Sequence, residues 1–212
     1  MDLLIPLTCF PDNRLLALLS GGHPLKIEVC DRYERQSLRN RYSISGSQGK
    51  LDLSIPITLD ETRMYSTARI NYRESWARSH WRSITSCYNK APYFIYYADA
   101  VEQLLFSGEE LLQKFNLNAL HLLCMAWKIQ VPEITTEWKK DVGEGNFDLR
   151  IWSEPASFAA IQLERYNQVF EEKTGFVQAC SGLDLLFNYG PDGIELLRSQ
   201  YNQISTMLGK IA

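Results

Sequence analysis

No Cys-x-x-Cys pair occurs in this chain, and its five cysteines, at 9, 30, 87, 124 and 180, are odd in number and far apart. That spacing excludes a zinc ribbon and offers no disulfide framework, so reduced thiols are expected. Long apolar runs are missing as well. The longest, Ala119 to Trp127, is interrupted by His121 and falls short of the ~20 residues a bilayer span needs. The start, Met-Asp-Leu-Leu-Ile-Pro, has neither a basic segment nor a small-residue cleavage site. A cytoplasmic protein without membrane insertion is the expectation. Nor is there a large excess of one charge: 22 Lys and Arg against 25 Asp and Glu leave a net −3. Such a chain is a poor general binder of nucleic acid, and any basic site must be local. Gly-rich phosphate loops, G-x-S-x-G elbows and His-Glu-x-x-His helices are absent, and no ligand spacing calls for a metal or a cofactor.

What is present is the composition of a globular domain, 45% hydrophobic over 212 residues, long enough to bury a core without disulfides. The whole chain, 1–212, is expected to form one domain. The Leu-rich start, broken by Pro6 and Pro11, suggests a short strand, a loop and helical turns through Leu15 to Leu19. "LKIEVC" (25–30) alternates as a strand does, and "RYSI" (41–44) with "LDLSIPI" (51–57) predicts a hairpin across "SGSQGK". A short strand is expected in "ARINY" (68–72). Ser75 is placed to cap a helix from Trp76 to about Asn89, stopped by Pro92. Helices over 93–106 and 109–130 follow, then a strand in "PEITTEW" and a polar loop over 139–165. Helices in "SGLDLLFNYG" and from Pro191 onward close the chain. N-terminal strands and a hairpin followed by a helical middle and C-terminal helices make a mixed α/β (α+β) fold.

Two groupings of residues suggest chemistry. In "RYERQSLRNRYSI" (32–44), an extended backbone puts Tyr33, Arg35, Arg39 and Arg41 on one side by alternation, beside Gln36 and Asn40. Guanidinium forks suit carboxylates and phosphates, so this is either an anion-gripping wall or a charged strand edge. On the helix from Ser75, residues Trp76, His80, Ile84 and Tyr88 recur at four-residue spacing and share a face. His80, set between an indole and a phenol, is either a general acid or base or a core histidine bonded to a carbonyl. Of the other histidines, His23 sits in an exposed turn, and His121 reads as a satisfied core residue.

The order of these motifs resembles the WbqC-like family of bacterial surface-polysaccharide gene clusters, in the short form common in Bacteroidetes. "YERQSLRNR" (33–41) is similar to its Tyr-x-(Lys/Arg)-Gln-x-x-Arg-Asn-Arg block, and "WARSHWRSITSCYNKAPYFIYYAD" (76–99) to its Trp-x-x-x-His and Tyr-x-x-x-Pro segment. "NFDLRI" (146–151), "YNQVFEEKTGF" and "LDLLFNYGP" extend the likeness, which covers about residues 25–197. The resemblance implies a role in O-antigen-like glycan synthesis, as a transferase placing an amino-acid or acyl group on an amino sugar. It implies His80 as the catalytic base. The substrate-binding set is Tyr33, Arg35, Gln36, Arg39, Asn40, Arg41, Trp76, Tyr88 and Asp184, with Pro92 and Phe94 also in the shared motifs. The ligand expected is a small anionic substrate, a nucleotide sugar or an activated carboxylate, and a homo-oligomer is compatible with the family. A non-catalytic binding or assembly protein of the same pathway is the alternative. Three stretches depart from the family pattern: "IPLTCFPDNRLL" at the start, Arg32 where a His often stands, and "QACSG" before "LDLLFN".

Overall fold

The computed structural model describes residues 2–143, 145–155 and 161–208. Residues 144 and 156–160 of the expected 139–165 loop lie outside the described residues. Leu3–Pro6 forms β1, Asn13–Ser20 forms α1 and Leu25–Glu28 forms β2, and the two strands run parallel in register Leu3↔Leu25 to Pro6↔Glu28. This is a βαβ unit. Asp12 caps α1, its carboxylate accepting from the backbone N–H of Arg14 at 3.0 Å and of Leu15 at 3.4 Å. Leu3, Ile5 and Ile27, which share one face of the sheet, are buried.

Residues Arg41–Gly46 (β3) and Gly49–Ser54 (β4) make the predicted hairpin, whose strands run on to a tight turn at Ser47 and Gln48. Gly49, at φ +99°, supplies the left-handed backbone this turn requires. Ile57–Thr58 (β5) pairs with Arg69–Ile70 (β6), the residue of the expected strand in "ARINY". The helices follow as predicted: Trp76–Tyr88 (α2), Phe94–Leu105 (α3) and Leu112–Trp127 (α4). Ser75 precedes α2 with ψ +49° and makes no side-chain capping bond, so the predicted cap is not formed. The last turn of α4 closes through Lys128 at φ +54°, with Ile129 N–H donating to the Cys124 carbonyl at 2.9 Å.

Two short strands then complete the sheet. Glu133–Ile134 (β7) lies parallel beside β2, and Phe147–Asp148 (β8) lies parallel beside β1, giving the order β7-β2-β1-β8. The strand expected across "PEITTEW" is confined to β7. Glu171–Thr174 (α5), Gly182–Tyr189 (α6) and Gly193–Leu208 (α7) finish the chain. Helix α1 packs on α6 and α7, while α6 also meets α4 and β3. At Gly182 the helices approach so closely that a Cβ would sit 2.3 Å from Leu16 Cδ1 and 3.2 Å from Leu123 Cδ1. A single hydrophobic cluster joins the sheet, the hairpin and the helices. The mixed α/β class read from the sequence is the one observed, and no described helix is long and apolar enough to cross a membrane.

Candidate functional site

Going from β1 the sheet grows through β2 to β7 on one side, and the chain then returns to place β8 on the other side of β1. Parallel sheets bind ligands outside the carboxyl ends of their strands where the strand order reverses in this way. A cavity of about 620 Å³ opens there. Cys30, Asp31 and Arg32, just past β2, line one side, and Arg150 and Ile151, just past β8, the other, with Arg39 and Trp138 completing the walls.

Arg39 is the buried wall, only 1% exposed. Its guanidinium clasps the Asp31 carboxylate through both terminal nitrogens, one at 2.7 Å, and lies 4.6 Å over the Tyr65 ring. The fork raises the Arg39 pKa against the pull of burial. From behind, Asn116 on α4 donates to the Arg39 carbonyl at 2.7 Å and to Tyr65 Oη at 2.6 Å. Arg150 is committed as well: to Asp148 at 2.9 Å, and to the Lys139 and Lys140 carbonyls at 2.6 and 3.1 Å. Its guanidinium sits 3.6 Å from the buried Glu28 carboxylate and 5.7 Å over the Trp138 ring. Arg32 is the third guanidinium of the cleft. It is exposed and forms no side-chain hydrogen bond or ion pair among the described residues.

The predicted arginine wall does not form as one surface. Residues 33–40 form no strand, with turns and bends over 35–40, and Gln36 at φ +61° breaks the alternation. Arg35 and Gln36 consequently point to solvent, Arg39 into the main cleft, and Arg41 into a second, smaller cavity. Tyr33 and Asn40 tie the turn together: Tyr33 Oη donates to Asn40 Oδ1 at 2.7 Å, and Asn40 Nδ2 donates to the Ile55 carbonyl at 2.8 Å.

The stripe on α2 does share a face, and that face is buried. His80 is 4% exposed and is not among the residues lining the main cleft. Tyr42 Oη lies 3.0 Å from its Nδ1, and the Trp76 ring meets it edge-on at 5.1 Å. Burial pulls the His80 pKa down to about 4, with a hydrogen bond to the Ser54 backbone pulling weakly the other way. Tyr88 belongs to a different cluster. Its hydroxyl donates to Asp184 Oδ1 at 2.7 Å while accepting from Ser45 N–H at 3.0 Å. Tyr166 Oη and Gln168 Nε2 both donate to Asp184 Oδ2 at 2.7 Å, and Asn13 Nδ2 donates to Tyr166 Oη at 3.2 Å. Asp184 is fully buried, and its pKa is raised by that burial despite three donors. Phe94 stacks on Trp81 at 6.1 Å and meets Phe187 at 5.1 Å, so it packs α3 to α2 and α6. Pro92 is exposed beside it. His121 is bonded to its own helix, Nδ1–H to the Leu117 carbonyl at 2.7 Å, but lies at the surface rather than in the core. Among the described residues no group of His, Cys, Asp and Glu could hold a metal ion.

A profile of the WbqC-like protein family matches residues 30–151, from the cleft's Cys30 through its Ile151. The chain belongs to the WbqC-like family. It is also 23% identical over 195 residues to the uncharacterized protein Rv1507c of Mycobacterium tuberculosis, covering 79% of this chain and 84% of that protein. No solved structure matches it. The family match spans the residues that enclose the cleft on both sides, yet the sequence reading of the WbqC-like motifs missed Asp31, Arg32, Trp138 and Arg150 as site residues. Arg32 carried a signal, as the residue standing where a His is usual. Arg150 lay inside the quoted "NFDLRI".

Proposed function

We propose that this chain is a transferase of bacterial surface-polysaccharide assembly that takes a small anionic substrate, a nucleotide sugar or an activated carboxylate, in the 620 Å³ cleft. One observation carries the reading. Of the three guanidiniums in the cleft, Arg39 and Arg150 are held by the protein's own acceptors, which leaves Arg32 to receive the ligand's charge. The size suits a drug-sized or sugar-nucleotide ligand. Half-exposed Trp138 offers a flat face for a base or sugar ring.

His80 belongs to the scaffold in this reading, because its ring is enclosed away from the cleft. The proton released by an attacking amine or hydroxyl goes instead to Glu34, an exposed carboxylate that lines the cleft and has no hydrogen-bond partner among the described residues. Positioning and fixed charge do most of the work. A second reading, a non-catalytic binder in the same pathway, is favoured by the absence of any histidine from the cleft lining.

Thermal unfolding against nucleotide sugars, coenzyme A thioesters and aminoacyl donors tests both. A ligand at a hundredfold its Kd adds about 2.7 kcal/mol and raises Tm by several degrees. That gain should vanish in Arg32→Gln. Product formation lost in Glu34→Gln with binding intact supports the transferase. Binding without any product supports the second reading, and no ligand-induced shift in any class removes both.

A further inference from the structure

Two helix N-termini meet at a second cavity, whose lining shares no residue with that of the main cleft. The N-cap of α1, Asp12, pairs as an antiparallel bridge with Ser181, the N-cap of α6. The cavity between them measures about 40 Å³. A water needs about 10–15 Å³ by this measure, so the space holds a few waters or a single oxyanion. Leu38 lines it and is fixed through its backbone, whose N–H donates to the Ser153 carbonyl at 2.7 Å and whose carbonyl accepts from Cys9 N–H at 2.8 Å.

Three polar side-chain atoms of residues lining this cavity have no hydrogen-bond partner among the described residues. The hydroxyls of Thr8 and Ser181, residues only 2% and 1% exposed, make no hydrogen bond, and neither does the buried Nε of Arg41. Buried polar atoms are ordinarily satisfied, and three orphans on residues that line one small space point to something that occupies it. The charge there is positive: Arg14, Arg41 and Lys50 against Asp12, with Arg14 already bound to Asp12. The amino ends of α1 and α6 add to the positive potential, as helix N-termini do. Phe10 and Ala179, both non-glycine residues at positive φ of 41° and 59°, shape the walls.

We propose that this cavity is a phosphate site, in which Arg41 and Lys50 supply the charge and the Thr8 and Ser181 hydroxyls donate to the oxygens. The positive excess suits a dianion, and donors arriving from β3, β4, the loop after β1 and the start of α6 suit a tetrahedral group better than a planar carboxylate. The volume admits the phosphate group itself, with any ester substituent leaving past exposed Lys50 and Pro155 at the rim. The site is independent of the reading given to the larger cleft.

The test is titration calorimetry of the full chain with inorganic phosphate and with a sugar monophosphate, at constant ionic strength in chloride. Arg41→Gln should weaken phosphate binding at least about tenfold, the weight of a charge-assisted hydrogen bond. Thr8→Val should weaken it about threefold or more, while leaving the Tm in chloride unchanged or higher, because the hydroxyl it removes has no partner among the described residues. That variant keeps the test open if Arg41→Gln folds poorly. Arg35→Gln, an exposed arginine that lines neither cavity, should change nothing. Binding of both ligands with this variant pattern supports a site for phosphate esters; binding of inorganic phosphate alone supports a site for the free ion. No binding at millimolar concentration, undiminished binding in Thr8→Val, or loss in Arg35→Gln instead would each overturn the assignment.

Discussion

Arg39 and Asp31, eight residues apart in sequence, are joined by a two-pronged ion pair that forms the inner wall of the main cleft. The Arg39 side chain is 1% exposed and that of Asp31 13%, so neither charge has much water to fall back on. Replacing Asp31 with Ala should cost about 3–5 kcal/mol of stability, since an unpaired buried guanidinium remains. Replacing both, Asp31→Leu with Arg39→Met, should recover much of the loss. Urea unfolding of the single and double variants measures this; a single variant within about 1 kcal/mol of the parent would show that the pair is not holding the wall.

His80 should make the protein acid-sensitive. Its folded pKa, near 4, lies below the ordinary histidine value of about 6.5, so folding favours the neutral ring. The stability this contributes is complete above about pH 6.5 and is lost as pH falls toward 4, a total of about 3 kcal/mol. Urea unfolding at pH 7 and pH 5 should show the drop in the parent chain and a shallower one in His80→Gln. Equal slopes would mean that the ring is not buried neutral.

Asp184 works with the opposite sign. Its folded pKa is raised, so its contribution is present below the ordinary carboxylate value and fades as pH rises through the folded one. The stability difference between parent and Asp184→Asn should therefore shrink as pH climbs from about 4 toward neutrality. Tyr166→Phe, which takes one donor from the buried carboxylate, should cost about 1–3 kcal/mol. A neutral Tyr166→Phe would indicate that water replaces the phenol.

Cys30 should be the first thiol to react in the native protein. It is half-buried at the cleft, whereas Cys9, Cys87, Cys124 and Cys180 are buried. Mass spectrometry after brief treatment with a maleimide should find one label, on Cys30, and a cleft ligand should slow its addition. Phosphate held in the smaller cavity should not, which separates the two sites. Labelling spread over several cysteines would contradict the burial pattern.

Much of this architecture is legible in the sequence. Four-residue spacing gives the Trp76, His80, Ile84 and Tyr88 face correctly, because a helix obeys one period over its whole length. The arginine block misleads for the complementary reason. Alternation holds only while the backbone stays extended, and one residue at positive φ, Gln36, sends Arg35, Arg39 and Arg41 in three directions. The neighbours of Asp184 are invisible for another reason: Tyr88 stands 96 residues away in sequence and no local pattern links the two. Similarly, "IPLTCFPDNRLL" and "QACSG", the two terminal stretches that depart from the family pattern, contribute Thr8, Phe10, Asp12, Ala179 and Ser181 to a single small cavity. Only the folded chain brings them together.

The pairing of β1 with β8 has a bearing on how the protein matures. Leu3 meets Phe147 across 144 positions of chain, whereas it meets Leu25 within the first βαβ unit. Contacts that close long loops form late. A nascent chain ending before residue 147 lacks Arg150 and the Ser153 carbonyl that fixes Leu38, and so has neither the far wall of the cleft nor the anchor of the smaller cavity's Leu38. Both cavities therefore depend on residues from 147 onward, the cleft on Arg150 and the smaller cavity on Ser181.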